Sequence, residues 1–221
     1  MPTPKALRTR QTLLTVARTI ILNEGIGALT MDKVAEAAGV SKGACMYHFK
    51  SKRALQAALL EDYAEHLNTE LERHEAMFEG TPDETLVPGY IEWFKSFDAA
   101  DNGWARVGVA LLSNFSHDAE LMQPVRDWYE KLYARINALP DDRRAETLVA
   151  VMALEGFFYT HKFGVDLTGA AAKSKAWDYL QKALVRTSAR RRYASFLFGV
   201  QLEKERRLRN ERYGQPVVSA R

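Results

Sequence analysis

Four side chains that donate hydrogen bonds to anions lie close together near the N-terminus of the sequence: Lys42, Tyr47, His48 and Lys52. An ammonium, a phenol and an imidazole each donate to phosphate oxygens, and such contacts hold a protein on DNA without selecting its sequence. A lysine at the start of a helix can also donate to O6 and N7 of guanine. The residue types and their spacing therefore predict contact with a nucleic acid.

Two short helices joined by a tight turn are predicted to position these side chains. Thr30 precedes a first helix over residues 31–38, and its hydroxyl can accept a hydrogen bond from a backbone N–H that the helix leaves unpaired. A turn that begins with Gly39 follows, and Ser41 caps a second helix over residues 42–49. Two helices separated by such a turn form the helix-turn-helix motif.

A helix-turn-helix presents the first residues of its second helix to base edges in the major groove. In this sequence those residues are Lys42, Gly43, Ala44 and Met46. The small side chains allow the backbone to approach and offer apolar contact to a thymine methyl group. Phe49 is predicted to be a core residue and Tyr47 to be exposed. Cys45 is interpreted as a small buried residue in preference to a redox switch.

The string GVSKGACMYHFKSKRAL, preceded by the Thr30 cap and by a helix that ends at Gly25, resembles the DNA-binding domain of the TetR/AcrR family over about residues 8–60. The resemblance implies an all-helical homodimer that represses promoters near palindromic operators. It also implies release of the double-stranded DNA when a small effector binds the larger C-terminal domain.

By motif position, the resemblance implies four phosphate contacts: Thr30, Tyr47, His48 and Lys52. It implies three residues that face bases: Lys42, Ala44 and Met46. The sequence departs from the family's usual residues around Ala44, Cys45 and Met46, so the operator sequence stays open.

Charge is distributed unevenly along the 221 residues, although the formal net charge is only +3. Residues 1–53 carry nine basic and three acidic side chains, residues 54–188 carry thirteen and twenty-two, and residues 189–221 carry nine and three. A basic segment on an acidic body favours a polyanionic partner for the basic segment, although ordinary scatter of charge is the alternative. We therefore divide the chain into a DNA-binding domain (1–53), an effector-binding and dimerisation domain (54–188) and a basic C-terminal extension (189–221).

An all-α fold is predicted, because apolar residues recur at helical spacing and no alternating strand pattern stands out. Beyond the motif, helices are expected over 5–23, 52–77, 83–99, 102–115, 119–139, 141–163 and 174–188. Pro88 is expected either to delay the start of its helix or to kink it.

The body carries no recognisable motif, but it is rich in aromatic side chains, most of which should be core. A subset of large apolar residues is predicted to line an effector cavity between helices: Trp93, Phe97, Trp104, Leu111, Trp128 and Phe158. Four acidic residues could pair with a cationic ligand, although solvated surface is the favoured interpretation for each: Glu92, Asp98, Asp101 and Glu155. The last two body helices are expected to form the dimer interface through a face that includes Ala150, Val151, Leu154, Phe157, Trp177, Leu180 and Val185.

Several classes of protein are disfavoured. The sequence contains no HExxH, GxSxG, phosphate-loop or dinucleotide-binding motif, so we predict neither an enzyme nor a cofactor. One cysteine excludes an internal disulfide, and His66 and His74 are too far apart on one helix to share a metal. No apolar run approaches the roughly 20 residues of a membrane span, and no secretory signal is visible, so a cytoplasmic location is expected. A transcriptional activator, or a ligand-binding protein that has lost DNA binding, remains an alternative.

Overall fold

The computed structural model describes residues 3–99, 103–165 and 168–184; at 97–99, 142, 162, 183 and 184 it describes the backbone alone. These residues form nine α-helices and one 3-10 turn, with no strand among them. The helices are α1 Pro4–Glu24, α2 Met31–Ala37, α3 Lys42–His48, α4 Lys52–Glu75, α5 Pro82–Ala99, α6 Gly103–Phe115, α7 Gln123–Asn137, α8 Asp141–Lys162 and α9 Ala170–Leu184. The all-α prediction is confirmed.

Helices α1 to α3 form a small N-terminal unit, which we call the head. The apolar stripe of α1 is buried, with Leu13, Leu14 and Ala17 almost completely inaccessible, and α1 packs against α2, α4 and α6. α1 ends at Gly25, whose φ of 82° lies in the left-handed region that glycine adopts without a steric cost. The predicted helix boundaries in the head agree with the structure to within about one residue, because each has a local signal: a capping hydroxyl or a glycine.

Helices α4 to α9 form the larger unit, which we call the body. α4 packs most extensively against α5 and α7, and it also contacts α1, so it connects the head to the body. Within the body, α6 lies close both to α1 of the head and to α4. A Cβ added to Gly103 would lie 2.9 Å from Leu22 Cδ1 of α1, and a Cβ added to Gly108 would lie 2.5 Å from the hydroxyl oxygen of Tyr63 on α4.

Two predicted helix starts in the body need correction. α7 begins at Gln123 instead of 119, because residues 116–122 form turns and Asp118 accepts a hydrogen bond from the Leu121 N–H at 3.1 Å. α9 begins at Ala170, four residues earlier than expected. Pro88 does not delay α5, which begins at Pro82 and continues past it. The predicted extension 189–221 lies outside the described residues, and no described helix is long and apolar enough to cross a membrane.

Candidate nucleic-acid interface and effector cavity

Capping hydrogen bonds fix the helix-turn-helix geometry. Thr30 Oγ1 accepts the Lys33 N–H at 3.2 Å, and Ser41 Oγ accepts the Ala44 N–H at 3.1 Å. Both predicted N-caps are therefore present. Gly39, with a φ of 66°, turns the chain between α2 and α3. Because a hydroxyl satisfies an N–H at the start of each helix, both helices begin at a defined residue.

The two sides of α3 differ sharply in exposure. Cys45 is completely buried and Phe49, just past the helix, is 2% exposed, whereas Tyr47 is 70% exposed and Met46 is 41% exposed. This confirms the predictions that Phe49 belongs to the core and that Tyr47 does not. Burial raises the pKa of the Cys45 thiol, with a smaller contribution from the charge of Asp32, so the thiol resists ionisation.

The remaining predicted contact residues lie on the outward side of the head. Lys42, Gly43, Thr30 and Lys52 are exposed, and Ala44 and His48 are half-buried. The Tyr47 and His48 rings meet edge to face at 5.2 Å, and the Lys50 ammonium lies 5.6 Å from the Tyr47 ring centroid. The outward face of α3 therefore combines a phenol, an imidazole and ammonium groups, as the sequence predicted.

Asp32 adds a feature that the sequence analysis missed. The Lys42 ammonium lies 2.8 Å from Asp32 Oδ1, and both side chains are more than half exposed. An exposed ion pair of this kind contributes little to stability and exchanges readily with solvent. Lys42 can therefore leave Asp32 when a more highly charged partner arrives. The i to i+10 spacing of the pair gave no signal in the sequence, because it depends on the angle between α2 and α3.

The structure distinguishes Lys52, a predicted phosphate contact, from its neighbour Arg53 at the start of α4. Lys52 forms no ion pair with a described residue. Arg53 donates to Asp118 Oδ2 at 2.6 Å and to Glu120 Oε2 at 2.6 Å, which raises the arginine's pKa and lowers that of the Asp118 carboxyl. Arg53 is therefore tied to the segment between α6 and α7, whereas Lys52 can contact DNA.

Three of the predicted effector-binding residues meet in one closed chamber. Trp93, Trp128 and Phe158 line it, with about 10 Å³ of free volume. The ring centroids of Trp93 and Trp128 are 6.3 Å apart, and those of Trp93 and Phe158 are 6.1 Å apart. The indole nitrogen of Trp93 is buried and has no hydrogen-bond partner among the described residues.

The other three predicted effector-binding residues do not join this chamber. Trp104 stacks on His66 at 4.3 Å and lies under the Arg18 guanidinium at 4.5 Å, which places it where α1, α4 and α6 meet. Leu111 is completely buried on α6 and lines neither the chamber nor the larger groove described below. The side chain of Phe97 lies outside the described residues.

A larger groove of about 820 Å³ lies between α6, α7 and α8. Its lining includes Met122, Arg126, Tyr129, Tyr133, Tyr159 and Phe163. Tyr129 also lines the closed chamber, so its side chain separates the two spaces. The sequence analysis treated these aromatic residues as core, because helical spacing alone does not distinguish a core stripe from a cavity wall.

Glu155 is the charged residue of the chamber, and it is only 9% exposed. The Tyr90 hydroxyl donates to Glu155 Oε1, and the Tyr129 hydroxyl donates to Oε2 at 3.2 Å. Burial, followed by the negative charge of Glu155, raises the pKa of both phenols, so both stay protonated and donate. The expectation that Glu155 is solvated surface is therefore wrong.

The other acidic residues named from sequence have different outcomes. Glu92 is half-buried and pairs with Lys95 at 2.9 Å, so solvated surface is also a poor description of it. The side chains of Asp98 and Asp101 lie outside the described residues. In the part of the chain that is described, no cluster of histidine, cysteine and acidic side chains is arranged to hold a metal.

The predicted dimer face is also corrected. Ala150, Val151 and Leu154 are completely buried within the protomer, where they belong to its core. Val185 lies outside the described residues. The apolar surface of α8 is a different stripe, spaced three or four residues apart: Ala145, Val149, Met152, Gly156, Tyr159 and Phe163. Exposure is 65% for Val149 and 47% for Met152. A helix with two apolar faces explains why the sequence pattern did not separate core from surface.

A capped, outward-facing recognition helix on a three-helix head, joined to a larger helical body, defines a helix-turn-helix DNA-binding protein. Residues 13–59 match the family model for bacterial regulatory proteins of the tetR family, and residues 84–185 match the model for the tetracyclin repressor-like C-terminal domain. The chain belongs to the TetR/AcrR family of transcriptional regulators.

Individual relatives agree with this assignment. The HTH-type transcriptional regulator AcrR of Shigella flexneri is 35% identical over 79 residues, which are 35% of this chain and 36% of that protein. The match thus spans about a third of that relative.

Solved structures share the fold. The multidrug binding protein EbrR, complexed with imidazole, aligns with a TM-score of 0.61 at 21% identity over 83% of this chain and 94% of that chain. The TetR-family member SCO1917 of Streptomyces coelicolor A3 aligns with a TM-score of 0.60 at 22% identity, over 80% of this chain and 98% of that chain. Salmonella enterica GusR aligns with a TM-score of 0.56 at 19% identity, over 83% of this chain and 98% of that chain.

Proposed function

We propose that this regulator is a homodimeric repressor that binds a palindromic operator through α3 and leaves it when a small molecule binds the body. The exposed side of α3 carries the proposal, because Tyr47 and Met46 point outward while Cys45 holds the opposite side in the core. The division into a DNA-binding domain (1–53), an effector-binding and dimerisation domain (54–188) and a basic extension (189–221) is part of the proposal. A protein with such a target acts in the cytoplasm, where its DNA lies.

The proposed contacts divide into two kinds. Four residues at the start of α3 face bases: Lys42, Gly43, Ala44 and Met46. Four others contact phosphates and set the orientation of the head: Thr30, Tyr47, His48 and Lys52. On DNA, Lys42 exchanges its exposed partner Asp32 for a guanine or a phosphate, so Asp32 competes with DNA for Lys42.

The exposed stripe of α8 supports the homodimer. Val149 and Met152 in this stripe are 65% and 47% exposed among the described residues, and a Cβ added to Gly156, at the middle of the stripe, would meet nothing within 4 Å. Two copies of α8 packed across a two-fold axis would bury the stripe and bring their backbones close at Gly156. A palindromic site requires that this axis place the two heads about 34 Å apart, or a multiple of that distance.

Contacts between the body and the head support effector release. α6 and α7 line the groove, α6 packs against Leu22 of α1 through Gly103, and the segment between α6 and α7 holds Arg53. A ligand that displaces α6 or α7 would therefore move the start of α4 and α1 together. Solved complexes of EbrR with imidazole, malachite green and ethidium support a small organic effector for this fold.

Selection of bound duplexes from random DNA, with the purified full chain at moderate salt, tests the proposal. Enrichment of an inverted repeat is expected. Failure to enrich any sequence, with a folded dimer in hand, would contradict DNA recognition and favour a ligand-binding protein. A reporter placed downstream of the selected site then separates repression from activation, since transcription falls in the first case and rises in the second.

A further inference from the structure

We propose that Asp32 is a further base-reading residue of the head. On the operator, its carboxylate accepts a hydrogen bond from the N4 amino group of the cytosine that is paired with the guanine contacted by Lys42. The inference rests on the proposed function and deepens it, because it assumes that the start of α3 lies in the major groove. It names a residue of α2, outside the recognition helix, that helps to determine one base pair of each half-site.

The first argument is the position of Asp32 between two proposed contacts. It follows Thr30, a proposed phosphate contact, by two residues, and its carboxylate meets the ammonium of Lys42, a proposed base contact. The Lys42 Nζ lies 2.8 Å from Oδ1 and 3.0 Å from Oδ2 of Asp32. The next residue, Lys33, instead pairs with Glu24 at the end of α1. Asp32 therefore lies on the side of α2 that faces the recognition helix, and a head docked through Thr30 and Lys42 brings it to the DNA.

The second argument is the negative charge of this carboxylate. The Asp32 side chain is 69% exposed, so nothing in the head shields it from the phosphates when the head docks. Like charges brought together across an interface lower affinity. When Lys42 turns to the DNA, the Asp32 carboxylate also loses its partner. It then needs a hydrogen-bond donor on the DNA to offset the repulsion.

The third argument is the set of donors that the major groove offers. The base edges there present the N4 amino group of cytosine and the N6 amino group of adenine, and a carboxylate characteristically accepts from the cytosine. In a G·C pair the cytosine N4 donates to guanine O6, so these two atoms lie side by side at hydrogen-bond distance. The ammonium of Lys42 and the carboxylate of Asp32, 2.8 Å apart, match them in spacing and in the order of donor and acceptor. One G·C pair can therefore satisfy both side chains.

The two charges also distinguish the orientation of a base pair. If guanine and cytosine exchange strands, Lys42 meets the cytosine amino group and Asp32 meets guanine O6, so both contacts are lost. An A·T pair with adenine at the position of that guanine brings Asp32 to thymine O4, which is also an acceptor. A T·A pair keeps the order of acceptor and donor, but it lacks the second acceptor that guanine N7 gives to Lys42. We expect G·C to be preferred, T·A to come second, and the two other pairs to come last.

Removal of a single amino group from the DNA tests the contact directly. In one half-site of the selected operator, each cytosine is replaced in turn by 2-pyrimidinone, which lacks the N4 amino group, and each guanine by 7-deazaguanine, which lacks N7. Binding of the full chain to each duplex is measured by fluorescence anisotropy at moderate salt. We expect one cytosine at which 2-pyrimidinone weakens wild-type binding by about tenfold. We expect 7-deazaguanine in the same base pair to weaken binding as well, because it removes an acceptor from Lys42.

Substitution then assigns the lost contact to a residue. Asp32→Ala has no carboxylate to accept from N4, so its affinities for the natural and the 2-pyrimidinone duplex should agree to within about twofold. It should remain sensitive to 7-deazaguanine, because Lys42 is unchanged. Glu36→Ala is the matched control, since it removes a negative charge from another exposed position of α2, and it should keep the full sensitivity to 2-pyrimidinone. Any weakening of the duplex by 2-pyrimidinone is the same for every protein, so a difference between proteins reports the contact.

Equal losses from 2-pyrimidinone in wild type and in Asp32→Ala, at every cytosine of the half-site, would overturn the proposal. Asp32 would then be only the partner of Lys42 in the free protein. A cytosine that depends on Asp32 but lies in a pair where 7-deazaguanine has no effect would overturn the assignment of both residues to one base pair. Neither result affects the proposed function, because the experiment begins from an enriched inverted repeat. A wild type that enriches no sequence would refute the proposed function first, and base reading by Asp32 with it.

Discussion

The head and the body place their charged groups in opposite ways. In the head, Lys42 pairs with Asp32 at the surface, where water and salt screen the pair and a phosphate can replace the carboxylate. In the body, Glu155 and His74 are buried, and their partners lie within the protomer. Exposed pairs therefore leave a surface that an anionic partner can reach, whereas the hydrogen bonds of buried polar groups help to hold the interior together.

The largest effect should come from separating the two protomers. Val149→Lys combined with Met152→Lys places two charges in the exposed stripe of α8, which we propose is buried in the dimer. Because two linked heads bind far better than one, affinity for an inverted repeat should fall by about 100-fold or more. Sedimentation should show a monomer. Leu7→Lys, at an exposed apolar residue of α1, is the control and should leave the oligomeric state unchanged; a dimeric double variant would refute this interface.

A smaller effect is expected where α6 contacts α4. In Gly108→Ala the new methyl group would lie 2.5 Å from the hydroxyl oxygen and 2.7 Å from Cζ of the buried Tyr63. Overpacking of this kind should lower the free energy of unfolding by about 1–3 kcal/mol, measured by urea denaturation. Gly27→Ala, where a Cβ meets nothing within 4 Å, is the control in the head. Equal stability of the two variants would contradict the tight approach of α6.

Loss of a phosphate contact should weaken binding to all DNA sequences alike. Lys52→Ala should reduce affinity by about tenfold on selected and random duplexes, and should flatten the dependence of log affinity on log salt by about one unit. Tyr47→Ala should give a similar uniform loss without the change of slope, because a phenol carries no charge. Arg53→Ala is the matched comparison: its guanidinium is paired with Asp118 and Glu120, so the salt slope should stay as in the wild type.

The smallest expected effect is a dependence of stability on pH in the body. Burial lowers the pKa of His74 below its ordinary value of 6.5, and the ring donates from Nδ1 to the Glu70 carbonyl at 2.7 Å. The unfolded chain therefore takes up the proton first as the pH falls. The stabilisation should be fully present above about pH 6.5, and it should decline as the pH falls from there toward the lowered pKa of His74 in the folded protein. Thermal melts of wild type and His74→Gln check this, and a decline of equal slope in the variant would assign it elsewhere.

Sequence reasoning succeeded in the head because its signals are local. Thr30 and Ser41 each accept a hydrogen bond from the backbone N–H three residues later, and Gly39 turns the chain between them. Residues close together in sequence therefore determine the geometry. The exposure of Tyr47 followed from its place in the same motif. The pair between Lys42 and Asp32 was missed, because it depends on how two helices cross.

The body was harder to predict because its contacts join distant parts of the chain. Glu155 accepts from Tyr90, sixty-five residues away, and neither the spacing nor the composition of α8 signals that it is buried. The apolar residues of α8 point both inward, as Leu154 does, and outward, as Val149 does. Trp104, a plausible cavity residue by type, instead stacks on His66 where the two units meet.

The most direct test of the central claim compares wild type and Lys42→Ala in parallel selections from random duplex DNA. The account predicts that wild type enriches an inverted repeat and that Lys42→Ala enriches a repeat of the same spacing with changed preference at one position in each half-site. A wild type that enriches nothing, or a variant with an unchanged preference and uniformly weaker binding, would contradict sequence recognition by the start of α3.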